Sequence, residues 1–208
     1  MISCLPEDIL TSILGAGSPL DMVKASAVCT QFYEMYHAAH RPIELHRGVD
    51  VEARLCDASE GSTVYIYGEH DVDAKDIVVR SCLQIIGRQN ARLHLRGGSR
   101  ILWCAVGRIF NVNISRELDL YDSSPQYPDG ILCVRGCGRL RVCSSSLRYT
   151  ARSLRFVAFG VHVDFGAAIF LKSVNFTDIP GPCIKLINGR VEVDRGVFIS
   201  VREYPIII

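Results

Sequence analysis

The chain of 208 residues lacks any long apolar run, although hydrophobic residues make up 49% of it. A helix needs about twenty consecutive apolar residues to span a bilayer, so the sequence predicts no membrane segment. The N-terminus also lacks the basic and apolar regions of a secretory signal peptide. With a formal net charge of +1, this composition is typical of a soluble globular protein, and we expect it in the cytoplasm or the nucleus.

Motifs for nucleotide and hydrolase chemistry are missing as well. The sequence contains no G-x-G-x-x-G, no P-loop and no G-x-S-x-G. Its nine cysteines include no C-x-x-C pair, which disfavours both a disulfide framework and a zinc site. Four cysteines alternate with apolar residues, which predicts buried thiols rather than a metal cluster: Cys133, Cys137, Cys143 and Cys183. We therefore expect no metal and no cofactor.

The first forty residues have the apolar spacing of short helices. A helix beginning at Pro6, directly after Leu5, would carry Ile9, Leu10, Ile13 and Leu14 on one face. Ser18 and Thr30 are suited to cap a second and a third helix. Three short helices bury too little surface to be stable alone, so this segment is expected to need a partner surface.

This segment resembles the F-box family over residues 3 to 40. The resemblance rests on Leu5-Pro6, Ile9-Leu10, Ile13-Leu14, Leu20, Ala25, Val28-Cys29 and Phe32, the last standing where the family often has tryptophan. Members of the family join a Skp-type adaptor, and through it a cullin, in a ubiquitin ligase. The resemblance implies that the adaptor is bound by Leu5, Pro6, Ile9, Leu10, Ile13, Leu14, Val28 and Phe32. The alternative is an ordinary helical subdomain that caps the rest of the chain.

After residue 62 the pattern changes to short alternating runs broken by glycine, which predicts an all-β domain. Two columns of apolar residues recur at intervals of 33, 29 and 22 residues: Ile109, Val142, Leu171 and Val193, then Ile114, Leu147, Phe176 and Phe198. Such recurrence is typical of a coil that stacks on its neighbour with parallel pairing. We predict a right-handed parallel β-helix, with tight bends at Asn113, Asn175 and Asn188.

Other β folds fit the sequence less well. A sandwich or barrel would bring hairpin signals between paired runs, and only Asn188-Gly189 and Asp129-Gly130 qualify. The variable repeat length argues against a propeller. The closing residues 204–208 predict no element that covers a last coil, which leaves open a truncation at the C-terminus.

A second resemblance lies at the join. Residues 51–58 have helical spacing, residues 60–67 turn into a strand, and residues 83–87 follow as LQIIG. This order resembles the entry into a pectin-lyase-like β-helix, where the helix covers the open first coil. An F-box followed by such a domain resembles Skp-interacting plant-type F-box substrate adaptors. The implied organisation is mainly β with a small α N-terminal domain: a three-helix F-box in 1–42, a linker and capping helix in 43–62, and a single-stranded right-handed parallel β-helix in 63–208.

The same fold also houses enzymes that cleave acidic polysaccharides, so the fold alone does not fix the function. Those enzymes need clustered or paired carboxylates. The aspartates that the predicted β-helix offers include six of which none is adjacent to another in sequence: Asp119, Asp122, Asp129, Asp164, Asp178 and Asp194. We therefore expect a chain without catalytic residues of its own.

Charge is distributed unevenly. Residues 80–155 hold thirteen arginines and four acids, whereas residues 1–79 hold thirteen acids and five bases. One hypothesis is that an acidic or phosphorylated target is bound by Arg135, Arg139, Arg141 and Arg148. The alternative is that arginines at alternate strand positions only solvate the outer face of a sheet.

The sequence thus predicts a substrate-recognition subunit of a Skp-cullin-F-box ubiquitin ligase, whose β-helix binds an unidentified target protein. The rival is a non-catalytic β-helix module that binds an acidic ligand, a glycan or nucleic acid and uses its helices as a cap or for self-association. We do not expect a membrane or a nucleic acid as partner. The single tryptophan, Trp103, is predicted to fill the core rather than to stack on a base.

Overall fold

In a computed structural model, the structure describes residues 42–73, 76–118, 130–151, 158–199 and 206–207. All of these except Pro42 belong to the second of two compact units, Ile43–Ile208. This part of the chain is mainly β and contains one short helix, and no helix in it is long and apolar enough to cross a membrane. The predicted helices of residues 1–41 lie outside the described residues.

The described elements are β-strands, with one short helix after the first strand. In chain order they are β1 (Ile43–Leu45), α1 (Val51–Cys56), β2 (Thr63–Val72), β3 (Asp76–Val79), β4 (Leu83–Leu95), β5 (Arg100–Trp103), β6 (Val106–Phe110), β7 (Asn113–Leu118), β8 (Leu132–Val134), β9 (Arg139–Cys143), β10 (Ser146–Ala151), β11 (Val161–Val163), β12 (Ala168–Lys172), β13 (Asn175–Thr177), β14 (Ile184–Leu186), β15 (Arg190–Asp194), β16 (Val197–Ile199) and β17 (Ile206–Ile207).

The described strands form two sheets, and all of their pairings are parallel. The path of the first sheet is β15-β12-β9-β6-β4-β7-β10-β13-β16, with β2 paired to β4 and β1 to β2. The second sheet has the order β17-β14-β11-β8-β5-β3. From β5 onward the chain repeats one unit, which we call a rung: a strand of the second sheet, a strand of the first sheet, a bend, and another strand of the first sheet.

The apolar columns predicted from the sequence are in-register neighbours in the first sheet. Ile109 pairs with Val142, Val142 with Leu171, and Leu171 with Val193. The second column pairs in the same way through Ile114, Leu147, Phe176 and Phe198. Parallel pairing from rung to rung is confirmed, and the described strands contain none of the hairpin pairings that a sandwich or an up-and-down barrel requires.

One apolar core collects the inward side chains of both sheets. Trp103 is fully buried in this core, as predicted. Gly107 lies directly against it, since an added Cβ would collide with the Trp103 ring and with the Leu83 carbonyl. Tyr149 is also buried; its hydroxyl donates a hydrogen bond to the Phe159 carbonyl at 2.8 Å, and burial raises its pKa to about 12.

The bend within each rung places one residue in the left-handed region. These residues are Asn111 (φ 57°), Ser144 (φ 49°), Ser173 (φ 53°) and Arg195 (φ 58°). The backbone N–H of Ser144 donates to the Lys172 carbonyl of the next rung at 2.9 Å. The bend therefore continues the hydrogen-bond ladder between rungs rather than interrupting it.

The asparagine bends were predicted correctly at one position out of three. Asn188 has φ 52°, but Asn113 and Asn175 are the first residues of β7 and β13, so these two predictions are wrong. Asn113 instead accepts a hydrogen bond from the Ser146 hydroxyl at 2.7 Å, which joins two rungs through their side chains. Serine fills two of the bends because a short polar side chain is tolerated there.

Helix α1 begins where the sequence predicted it. Asp50 caps it by accepting a hydrogen bond from the Ala53 N–H at 3.1 Å. Val51 and Leu55 are buried, and the helix packs against β2 and β3. The predicted linker also contains β1, which pairs with β2 and extends the first sheet.

Replacing Leu140 with alanine is expected to lower the free energy of unfolding by about 2–5 kcal/mol, because its inward side chain leaves a cavity. The neighbouring Arg139 is exposed, so Arg139→Ala should change this free energy by no more than about 0.5 kcal/mol. Urea unfolding of the two variants measures the difference. Equal losses from both would contradict the inward and outward alternation of β9.

Candidate functional site

The outer side of β2, β4, β6, β9 and β12 carries arginines interleaved with large apolar side chains. Period-two alternation puts these side chains outside because their neighbours in sequence point into the core. We call this surface the arginine–aromatic face. It consists of Tyr65, Ile86, Arg88, Arg108, Phe110, Arg139, Arg141 and Phe170.

Three arginines of the face are stacked on aromatic rings. The guanidinium carbon of Arg88 lies 4.9 Å from the centroid of the Tyr65 ring. Arg108 lies over Phe110 at 5.2 Å, and Arg141 lies over Phe170, on the adjacent rung, at 4.8 Å. Each contact contributes about 0.5–1 kcal/mol at an exposed site. Stacking also holds the planar guanidinium in a restricted orientation, so its donors stay available to a ligand.

The arginines of this face lack the carboxylate partners that several arginines elsewhere in the domain have. Elsewhere in the first sheet Arg92 binds Glu69 at 2.8 Å and Arg148 binds Asp178 at 2.9 Å. Among the described residues, no carboxylate lies within ion-pair distance of Arg88, Arg108, Arg139 or Arg141. Positive charge is therefore uncompensated on one face of the sheet.

Two of these arginines are direct neighbours. Arg108 of β6 pairs in register with Arg141 of β9, and adjacent strands are about 4.8 Å apart. Like charges directly opposite one another are destabilising. Arg139 lies two residues before Arg141 on the same face, about 6.6 Å along the strand. The Cα atoms of three arginines therefore lie close together on one face, while the guanidiniums of Arg108 and Arg141 lie over the Phe110 and Phe170 rings.

Exposed apolar side chains border the face. Val106 is 54% exposed and pairs in register with Arg139. Phe165, 70% exposed, lies in the turn before β12. Ile187 precedes β15 and is also exposed. Large apolar groups beside a cationic area are the composition expected of a binding surface.

The structure separates the four arginines predicted to bind a target. Arg139 and Arg141 belong to the arginine–aromatic face, and their role there stays a prediction. Arg148 lies on β10, beyond the bend, where it is occupied by Asp178. Arg135 lies in the turn between β8 and β9, with its Nε 3.9 Å from Asp164. These four side chains are thus not brought together.

The prediction from sequence missed Arg88 and Arg108. The signal for Arg108 was present, because alignment of Ile109 with Val142 also aligns Arg108 with Arg141. No repeated column pointed to Arg88, which lies just before the bend of the long strand β4. The residues predicted to bind the adaptor, Leu5, Pro6, Ile9, Leu10, Ile13, Leu14, Val28 and Phe32, lie outside the described residues.

Three of the four cysteines predicted to be buried are buried: Cys133, Cys143 and Cys183. Burial raises the pKa of the Cys183 thiol to about 12 and also raises that of Cys133. Cys137 is exposed, so that prediction is wrong; it lies in the turn before β9 rather than at an inward strand position. Within the described ranges, no group of three or more His, Cys, Asp or Glu side chains is placed to hold a metal ion.

Comparison with known families identifies the segment before this domain. The F-box domain model matches residues 2–35. The N-terminal segment is an F-box domain. This match confirms, at the level of the domain, the F-box resemblance drawn from Leu5 to Phe32. F-box domains bind Skp-type adaptors within ubiquitin ligase complexes. No curated protein and no solved structure matches the chain.

A double-mutant cycle with Arg108→Gln and Arg141→Gln separates their mutual repulsion from the stacking of each on its own ring. We expect a repulsive coupling of about 0.2–1 kcal/mol in the free energy of unfolding at low ionic strength. In about 1 M salt the Debye length falls to about 3 Å, and the coupling should fade. Urea is suitable for the measurement because it is uncharged. Zero coupling at low salt would contradict the expected repulsion between the two side chains.

Proposed function

We propose that this chain is the substrate-recognition subunit of a Skp-cullin-F-box ubiquitin ligase. The observation that carries the proposal is the F-box match at residues 2–35, in a chain whose second unit bears an uncompensated cationic surface. The F-box binds the Skp-type adaptor, and the arginine–aromatic face binds the target protein. The adaptor is contacted by the F-box positions Leu5, Pro6, Ile9, Leu10, Ile13, Leu14, Val28 and Phe32.

We further infer that the β domain is a single-stranded right-handed parallel β-helix, similar to the pectin-lyase-like fold. The support is that the chain returns to the same two sheets in each rung and pairs in parallel with the preceding rung. Connections between parallel strands of one sheet are right-handed in about 98% of cases. In such a fold the outer face of each sheet is a lateral surface, available along the length of the domain.

A protein target suits the arginine–aromatic face better than a small molecule does. The face lies on the outside of a sheet and is rich in arginine and aromatic side chains, which are enriched in protein interfaces. Those two classes also dominate the binding free energy where they are buried by a partner. Phe110 and Phe170 are partly buried in the free domain, so a partner would complete their desolvation.

In this proposal the chain promotes ubiquitination of the target through proximity alone. Holding a target near the charged ubiquitin-conjugating enzyme raises its effective concentration, which requires no catalytic residue in this chain. The parallel ladders fix the face on a rigid support, and rigidity reduces the entropy lost on binding. The cytoplasm and the nucleus, where such ligases work, are the proposed locations.

The double substitution Ile9→Asp with Leu10→Asp is expected to abolish co-purification of the full chain with a Skp-type adaptor. Two charges would then have to be buried without partners in an apolar interface. The matched control, Arg108→Glu with Arg141→Glu, changes two charges on the β domain and should keep adaptor binding at the wild-type level. Failure of the wild-type chain to bind any Skp-type adaptor would contradict the proposal.

Target binding is tested through turnover. Proteins that accumulate when this chain is deleted should be cleared again after re-expression of the wild type but not of Arg139→Glu with Arg141→Glu. Arg148→Glu, on the neighbouring half of the sheet, should restore turnover. Quantitative proteomics of the three strains gives the measurement. Full restoration by the Arg139 and Arg141 variant would exclude this face as the target-binding surface.

A further inference from the structure

We propose that Cys104 and Cys137 are an oxidative modification site and form a reversible disulfide bond with each other. The oxidant is a low-molecular-weight disulfide, of which oxidised glutathione is the example used below. The two side chains are called the corner thiols, because both lie where the chain passes from the second sheet to the first. The proposal does not depend on the ligase role proposed above.

The corner thiols lie on successive rungs. Cys104 directly follows β5, and Cys137 lies in the turn of residues 135–138 between β8 and β9. These two rungs are neighbours, since β5 pairs with β8 and β6 pairs with β9. Both cysteines are exposed, so a small oxidant can reach them without any opening of the core.

Hydrogen bonds join the two corners on both sides of the thiols. Before the turn, the N–H of Arg135 donates to the Trp103 carbonyl at 3.0 Å. After the turn, the N–H of Arg139 donates to the Ala105 carbonyl at 2.9 Å. Trp103 and Ala105 are the immediate neighbours of Cys104 in sequence. The turn that carries the second thiol is therefore attached to the backbone on either side of the first.

The same contacts bring the two Cα atoms close together. Gly138, the residue after Cys137, packs against the preceding rung. A Cβ added to it would lie 2.7 Å from the carbonyl oxygen of Trp103, the residue before Cys104. Adjacent strands are about 4.8 Å apart, and disulfides join Cα atoms that are about 4.4–6.8 Å apart. Gly136 leaves room for an adjustment of the turn, since a Cβ added there would meet no atom within 4 Å.

Other described thiols are less suited to the exchange. Cys133, Cys143 and Cys183 are buried. Burial raises the pKa of Cys183 to about 12, and it also raises the pKa of Cys133 and of Cys82. Because the thiolate is the nucleophile in thiol–disulfide exchange, a raised pKa and burial both slow the reaction of these cysteines.

The exchange proceeds in two balanced steps. The sulfur of one corner thiol attacks oxidised glutathione, which forms a mixed disulfide and releases one glutathione thiol. The sulfur of the other corner thiol then attacks the protein sulfur of this mixed disulfide, forms the Cys104–Cys137 bond and releases the second glutathione thiol. Two protein thiols are oxidised and one glutathione disulfide is reduced, and the two thiol protons pass to the released glutathiones.

The bond would join two rungs at the border of the arginine–aromatic face. The strands that follow the corner thiols begin with Val106 and Arg139, which are in-register neighbours. The cross-link closes a loop that contains residues 105–136, so it restricts the unfolded chain. Oxidation is therefore expected to stabilise the domain and to fix the corner beside Val106 and Arg139.

The test equilibrates the full chain in glutathione redox buffers, both in the native state and in concentrated urea. Peptide mapping after an acid quench identifies the joined cysteines and gives the effective concentration of the pair. We expect a Cys104–Cys137 cross-link whose effective concentration is at least about tenfold higher in the native state than in urea, because the fold holds the thiols together. The oxidised chain should unfold at a Tm about 5 °C or more above that of the reduced chain.

Cys104→Ser and Cys137→Ser should each abolish both the cross-link and the rise in Tm. Cys56→Ser is the matched control, because Cys56 is also exposed but lies at the end of α1 rather than at this corner. This control should form the Cys104–Cys137 cross-link to the same extent as the wild type. Loss of the cross-link in the Cys56 variant would overturn the proposal.

Each of the remaining outcomes also counts against the proposal. Preferential joining of either corner thiol to another cysteine, such as Cys82, would show that the two corners do not meet. Glutathione attached at both positions without a cross-link would show the same. Equal effective concentrations in the native state and in urea would mean that sequence separation alone explains the bond. A lower Tm after oxidation would mean that the bond forms only by distorting the fold.

Discussion

In-register parallel pairing between successive rungs is the constraint on which the rest of the described domain depends. Because side chains alternate with a period of two, a slip of one residue would exchange the core for the surface along a whole strand. The apolar column from Ile109 to Val193 holds one end of this register, and the column from Ile114 to Phe198 holds the other. Burial of Ile109, Val142 and Leu171 in the first column, and of Ile114, Leu147 and Phe176 in the second, therefore determines every external neighbour as well.

The functional surface follows from the same register. Fixing Ile109 opposite Val142 also fixes Arg108 opposite Arg141, so the core imposes the encounter of two like charges. Elsewhere in the sheet a similar position is neutralised, as by Asp178 beside Arg148. At the arginine–aromatic face the rings of Phe110 and Phe170 support the guanidiniums without neutralising them. The buried columns thus stabilise the domain, while the arginines of the outer face keep a positive charge that no described carboxylate neutralises.

The sequence was sufficient for features that repeat and for features with strong local signals. The parallel columns, helix α1 and the burial of Trp103 could all be predicted. Bend positions could not be read from asparagine, because the left-handed residue falls at Asn111 or Ser144 and leaves Asn113 in a strand. The ion-pair partners of individual arginines could not be predicted from local sequence either. Arg148 and its partner Asp178 are 30 residues apart and meet only because the rungs stack.

Among the described rungs, the bend between the two columns keeps one length, whereas both connections between the two sheets vary in length. From Val142 to Leu147, as from Leu171 to Phe176, four residues lie between the two columns of a rung. The connection from the second sheet to the first, in contrast, takes two residues after Trp103 and four after Val134. Insertions at that corner leave the register untouched and lie beside the exposed Val106 and Phe165. The rim of the surface is therefore free to diverge in evolution, and a designer can lengthen these corners to retarget the domain without rebuilding its interior.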